Sequence, residues 1–459
     1  MVNINFENLG SIKSGNIDLN NLTVITGENN CGKTYLAYAI YGLLSKEFKF
    51  SIKEINPILE KLYETGKNVI NLKSFCEKNF KKIEREISNY FSDGLDEIFN
   101  AVDGFFKNSK VSFSIDSEVA INNIKNEKFQ FNINLGKQDN KVFFAEKEKE
   151  SFELSLVLLD KDMPKRFLED QVKTAISRIL FQDLFSKTIL LPSERTGLNL
   201  FYKELNNDRA TLIEHLRQDK IDKGKLLNDI FISRYPLPIA DYLKFLNKTY
   251  ELKKKKSEHS DLVEFIKKQV IGGRYSVDKE QIYFLPYKSS KSYNKSNDAR
   301  KIELHLTSST VKTFFSLVFY LEHVAKEGDT LIIDEPELNL HPDNQRKIAR
   351  VLAMIANKGI KVLVTTHSDY FIREINNLIM LSEDFKSKEK LIKKTDYSPD
   401  MFLKKDTVNG YVVNNNKIEK MEINSKEGII AETFDKVINS LNNINDEIYY
   451  TKEVELNNE

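Results

Sequence analysis

GENNCGKT, residues Gly27–Thr34, is the most specific stretch of the chain. It fits the pattern G-x-x-x-x-G-K-[ST], with Gly27, Gly32, Lys33 and Thr34 in the specified places. An apolar, β-branched run, Leu22–Thr26, leads into it, and Leu36, Ala37, Ile40, Leu43 and Leu44 follow at helical spacing. A Gly/Asn-rich turn matching by chance would lack this strand-to-helix context. In such a loop the backbone N–H groups and the helix N-terminus form a concave anion site. Lys33 adds a point charge, and the Thr34 hydroxyl is placed to ligate Mg²⁺. The expected nucleotide-binding residues are therefore Gly27, Asn29, Asn30, Cys31, Gly32, Lys33 and Thr34.

LIIDEPELNLHP (Leu331–Pro342) is the second informative stretch. Leu331, Ile332 and Ile333 read as a buried parallel strand that ends on acid. Asp334 at its carboxyl end suits Mg²⁺, directly or through water. Glu335, next in line, suits orienting or deprotonating an attacking water. A further strand, Lys361–Thr366, delivers His367 within VTTHSD.

A phosphate loop, then DEPELNLHP, then a strand ending in THSD resembles the ATP-binding-cassette (ABC) ATPases, in the branch holding SMC-like, RecF-like and OLD-family proteins. The resemblance implies an α/β fold: an ABC ATPase head with a large mixed helical and β insertion between phosphate loop and signature. It implies ATP and Mg²⁺ as ligands, with His367 sensing the γ-phosphate. It also places a signature at Leu306–Lys312, whose helix N-terminus would touch ATP bound to a second subunit. Ser308 aligns with the signature serine and Ser309 follows it, while Ser309 and Thr310 replace the usual glycines. The family glutamine that reaches metal and water has no counterpart in Thr188–Gly197; Glu194 or Arg195 could replace it, or the segment is a plain loop. Asn339–Pro342 stands where transporters carry an aspartate, which argues against a transporter. The resemblance is specific over residues 1–47 and 270–381.

Three hundred residues separate Thr34 from Asp334, far more than an ATPase core uses. We expect core elements at 1–47 and 270–381, an inserted lobe at 48–269 that includes a core strand and loop near 187–197, and a small α/β tail at 382–459. Within the insertion Phe80, Ile83, Ile87 and Phe91 share a helical face. Val111–Ile115, Phe129–Leu135, Val142–Ala145 and Phe152–Leu158 alternate as a four-stranded meander. Helical patterns cover 163–183 and 198–269; strand signals follow at Gly273–Val277, Ile282–Leu285 and Ile302–Leu306, with a Ser/Asn/Lys-rich loop at Lys288–Lys301. The tail suggests a hairpin over Asn409–Ile423 and an amphipathic helix over Ile429–Leu441. No heptad pattern has the length of an SMC arm, and no Cys-x-x-Cys suggests a zinc hook.

Composition narrows the class. Hydrophobic content is 41%, Lys+Arg number 69 against 68 Asp+Glu, and only Cys31 and Cys76 are present. No apolar run approaches the ~18 residues of a membrane span. The start, MVNINFENLG, lacks a signal-peptide profile. A cytoplasmic chain without membrane association is the expectation. The balanced charge does not describe a polycation that coats nucleic acid, so DNA contact is left to local clusters such as Lys253–Lys256 and Lys386–Lys394. The tail has no Asp-x-Asp pair of the kind an OLD-type nuclease needs, and the six histidines are scattered. The expected partners are a second copy, as homodimer or higher oligomer, and a separate nuclease or effector. The chain resembles the ATPase subunits of Septu and PARIS-type anti-phage systems; the alternative is a RecF-like repair ATPase acting on DNA, and a third reading is a scaffold that holds ATP as a structural ligand.

Overall fold

The computed structural model describes residues 2–45, 50, 52–135, 140–181, 187–205, 235–278, 281–287 and 301–456. His215, most of the Lys288–Lys301 loop and the middle of the 198–269 helical pattern lie outside the described residues.

Eighteen strands occur among these residues. In chain order they begin β1 (Val2–Leu9), β2 (Ile12–Asp18), β3 (Leu22–Gly27), β4 (Lys67–Asn71), β5 (Lys110–Ile115), β6 (Phe129–Leu135), β7 (Asn140–Lys147), β8 (Glu153–Leu158) and β9 (Thr188–Leu191). They continue as β10 (Gly273–Val277), β11 (Ile282–Pro286), β12 (Ile302–Glu303), β13 (Thr330–Asp334), β14 (Lys361–Thr366), β15 (Val408–Asn414), β16 (Lys417–Lys420), β17 (Ile423–Asn424) and β18 (Gly428–Ile429).

A nine-stranded sheet of order β5-β1-β2-β16-β15-β3-β14-β13-β9 forms the centre. The run β15-β3-β14-β13-β9 is parallel throughout, whereas β1 pairs antiparallel with both β2 and β5. Sequence accounts for the division. β13 is buried at every position, and β14 at all but its first, as expected for parallel strands covered on both faces. β1 instead alternates buried with part-exposed residues over Val2–Phe6, the pattern of a strand with one wetted face. The helix Lys33–Ser45 buries Leu36, Ala37, Ile40, Leu43 and Leu44 against the sheet.

Part of the insertion departs from the expected meander. Val111–Ile115 does not join the other three stretches; it is β5 and pairs with β1 at the edge of the central sheet. The second sheet has the order β4-β8-β7-β6, with Lys67–Asn71 taking the fourth place. Alternation marks a strand with one buried face but carries no information about its partner. The helix Leu72–Asp93 bridges the two regions, with Phe80, Ile83, Ile87 and Phe91 all buried. The strand expected over Ile302–Leu306 is only Ile302–Glu303, followed by a 3₁₀ turn at Leu304–Leu306. In the tail, β15 and β16 make the expected hairpin but are wedged between β2 and β3 of the central sheet. The last helix starts at Glu432 and runs to Leu456, later and longer than its apolar pattern suggested. No helix among the described residues is long and apolar enough to cross a membrane.

Candidate nucleotide-binding site

β3 delivers the loop 28–32 at its carboxyl end, and two strands away β13 delivers Asp334 at the same end of the sheet. Gly32 takes φ +105°, and a Cβ there would lie 2.6 Å from the Ser11 Oγ. Only glycine lets the loop bend this way and still pack on the β1–β2 turn. Asn30 is left-handed at φ +63°, which asparagine tolerates. Lys33 opens the helix and is 5% exposed; its ammonium donates to the carbonyls of Gly27 (3.0 Å) and Glu28 (2.8 Å). The Cys31 thiol turns inward, lying within 2.7 Å of where a Gly27 Cβ would stand; any part it plays in binding falls to its backbone.

The Thr34 hydroxyl donates to Asp334 Oδ2 at 3.0 Å, and the Thr365 hydroxyl donates to Oδ1. Asp334 is wholly buried. Burial pushes its carboxyl above the usual range, the Thr365 and Thr34 hydrogen bonds oppose that, and the charges of Glu335 and Glu194 add to it. A buried carboxylate beside two acids and facing a threonine hydroxyl is short of positive charge, the electrostatic condition a divalent cation would relieve. No group of three or more His, Cys, Asp or Glu suited to hold a metal alone occurs among the described residues. This donor set fits Mg²⁺, which is held by one or two protein oxygens together with substrate phosphates.

Glu335 leaves the strand at φ +50°. Two devices hold that turn. Its N–H donates to the Thr365 carbonyl (3.0 Å) and to Thr365 Oγ1 (3.2 Å). From below, the buried Arg195 donates to the carbonyls of Pro192 (3.0 Å), Asp334 (2.8 Å) and Glu335 (2.8 Å). The Glu335 side chain lies beside His367, Oε1 to Nδ1 3.4 Å. His367 is held in turn by Glu337, whose Oε1 accepts the His367 N–H (2.9 Å) and the Thr366 hydroxyl (2.6 Å). Lys33, Thr34, Glu335 and His367 thus open on one cleft of about 1050 Å³.

Other expectations resolve differently. Ser308 and Ser309 are exposed and do not line this cleft; Ser308 caps the helix Ser309–His323, its Oγ accepting from the Val311 N–H at 3.4 Å. Arg195 cannot stand in for the family glutamine, because its guanidinium is spent on backbone carbonyls. Glu194 is exposed, and its charge reaches Asp334. Sequence reading missed the wall formed by Asn8, Ser11, Tyr35, Phe105 and Phe106. Phe105 is 60% exposed and packs edge-on against Phe106 at 4.9 Å between centroids. Thr365 was within reach, as a hydroxyl ending a strand beside the acid; nothing in sequence ties Phe105 to a loop seventy residues away.

The parallel sheet, the phosphate loop and the acid two strands off define a P-loop nucleotide-binding protein. A family model described as "AAA ATPase domain" matches residues 1–372, and the chain belongs to that family. No curated protein sequence matches it. Solved structures similar to it include the Smc head domain with an extended coiled coil bound to the C-terminal domain of ScpA, from Pyrococcus furiosus. That match has 11% identity over 97% of this chain and 100% of the other, at TM-score 0.34. The SMC head domain from Thermotoga maritima matches at 10% identity over 92% and 98%, at TM-score 0.31.

Proposed function

We propose that this ATPase-domain protein binds ATP with Mg²⁺, closes on a second copy around the nucleotide, and uses closure and hydrolysis to control a separate nuclease or toxin in anti-phage defence. The observation that carries the reading is that Thr34, Glu335 and His367 open on one cleft with the phosphate loop, with the buried pair Asp334–Thr365 directly behind Thr34.

Each residue has a task that follows from its surroundings. Lys33, now on the loop's own carbonyls, exchanges them for phosphate oxygens. Thr34 and Asp334 would hold the cation, which neutralises phosphate charge. Glu335 orients the attacking water and accepts its proton. His367, fixed through its backbone by Glu337, faces the terminal phosphate. Ser308 and Ser309, exposed at a helix N-terminus, offer hydroxyl and N–H donors to ATP held by a partner copy. The effector reading is supported by the resemblance of DEPELNLHP and THSD to defence ATPases. Against a general DNA-coating role stands the engagement of Lys253 with the Val277 carbonyl (2.6 Å) and the Tyr250 ring.

The test has two parts. Lys33→Ala should abolish ATP binding, while Glu335→Gln binds ATP and accumulates as a closed oligomer without turnover. Equal nucleotide affinity in both variants and the wild type would defeat the site assignment. Pull-down of tagged Glu335→Gln with ATP from its native locus should then recover a nuclease at fixed stoichiometry. Recovery of repair proteins, with turnover stimulated by DNA, would favour the RecF-like alternative.

A further inference from the structure

The helix Glu432–Leu456 runs fifteen residues beyond its expected end at Leu441. Every residue from Asn439 to Lys452 is exposed. Most helical stability in proteins comes from packing an amphipathic face, which residues 439–452 do not do within the chain, and Asn439, Asn442, Asn443 and Asn445 lower the helix propensity further. Its apolar residues nevertheless lie in register. Leu441, Ile444 and Ile448 are 66%, 52% and 54% exposed, and with Thr451 they follow a 3-4-3 spacing. In the sequence the same spacing reaches back through Val437 to Phe434. This is the seam of a two-stranded coiled coil, with Leu441 and Ile448 at a and Ile444 and Thr451 at d.

Charge selects the occupant and its direction. In that register Glu447 falls at g and Lys452 at the following e, five residues on. A parallel pair of identical helices sets each g beside the partner's next e, so two Glu447–Lys452 pairs form across the seam. An antiparallel pair sets g against g and e against e, and no Glu–Lys pair is then available. We propose that this helix pairs in parallel, in register, with the same helix of a second copy of the chain, without need of nucleotide. The pairing goes beyond closure around ATP: it would keep two heads tethered when they are open, raising the effective concentration at which they close.

The test is sedimentation equilibrium of the full chain without nucleotide. The wild type should be a dimer. The Leu441→Glu/Ile448→Glu double variant should dissociate with a dimer constant weakened about tenfold or more, its melting temperature and ATP affinity unchanged. Lys452→Glu should weaken the dimer, and Glu447→Lys/Lys452→Glu together should restore it. Leu441→Cys should form a disulfide-linked dimer under mild oxidation where the wild type does not. A monomeric wild type, or a dimer indifferent to the double variant, would overturn the proposal. So would a persisting dimer that fails to cross-link at position 441, since that pairing is not parallel. Because all this is measured without nucleotide, its failure would leave the Lys33→Ala and Glu335→Gln results standing, and theirs would leave it standing.

Discussion

Removing the guanidinium of Arg195 takes one charged donor from each of three carbonyl oxygens, those of Pro192, Asp334 and Glu335; the Pro192 and Glu335 oxygens keep the Arg195 and Leu338 N–H groups, each at 3.2 Å. Each lost hydrogen bond is worth about 0.5–1.5 kcal/mol net, and somewhat more from a charged donor. Arg195→Met, which keeps the volume and loses the donors, is therefore expected to destabilise the protein by about 3 kcal/mol. Two of those carbonyls belong to the residues that turn Glu335 into the cleft, so turnover should fall further than ATP affinity. Thermal melts, ATP titration and steady-state turnover separate the effects; wild-type melting and turnover in Arg195→Met would show that the clamp is idle. Cys76 gives a pH prediction. Burial pushes its thiol from the ordinary 9.0 up to about 11, and Glu77 adds to the shift. The unfolded chain then loses this proton first, so the contribution is whole below pH 9 and is lost as pH rises from 9 to 11. Wild type should lose about 2 kcal/mol more urea stability across that window than Cys76→Ala. Parallel pH slopes for the two proteins would contradict it.

At the scale of elements, the helix opening at Ser308 carries two roles that one substitution can separate. Ser308→Ala removes an N-cap acceptor, which costs about 1 kcal/mol or less given its long 3.4 Å contact. If Ser308 reaches ATP in a partner copy, turnover should fall about tenfold or more while nucleotide affinity of the single copy is kept, and Ser308→Thr should recover much of it. Loss of stability without loss of turnover would leave the residue as a cap alone. The elements also show what sequence can and cannot convey. The strand–loop–helix at Leu22–Ser45 and the acid-tipped β13 were legible because burial on both faces writes an unbroken apolar run, and because phosphate binding demands glycines at fixed offsets. β5 was legible as a strand and misplaced as to sheet: its alternation is the same whether it faces β6 or β1. Arg195 read either as a replacement for the family glutamine or as a plain loop residue, because its partners are backbone carbonyls, which no side-chain pattern announces. Phe105 and Phe106 were silent for a related cause, since a cleft wall built by a loop has no period.

For the whole molecule, the decisive fact is where the chain places its end pieces. The family match stops at residue 372, yet the sheet does not. β15 lies parallel to β3 from Val408 beside Leu22 to Val413 beside Gly27, so the strand that presents the phosphate loop is flanked by a segment almost four hundred residues later. Gly15 records the same fit on the other side, because a Cβ there would lie 2.4 Å from Ile418 Cβ. A fragment ending at residue 381 would uncover β3 and lose the burial of Val408, Tyr411, Val413, Ile418 and Ile429, each at most 7% exposed. At about 1.5–3 kcal/mol per fully buried apolar side chain, the loss is on the order of 10 kcal/mol. A whole domain is typically stable by only about 5–15 kcal/mol. The fragment 1–381 is therefore expected to aggregate or to lack a cooperative melt, and to bind no ATP, although it contains every residue placed at the nucleotide. A truncation that removes only 432–456 tests the contrast, since the helix lies outside the sheet. It should melt cooperatively and bind ATP like the full chain. Calorimetry and ATP titration of the two fragments decide the matter: a soluble 1–381 fragment with wild-type ATP affinity would mean that the sheet does not need its C-terminal strands.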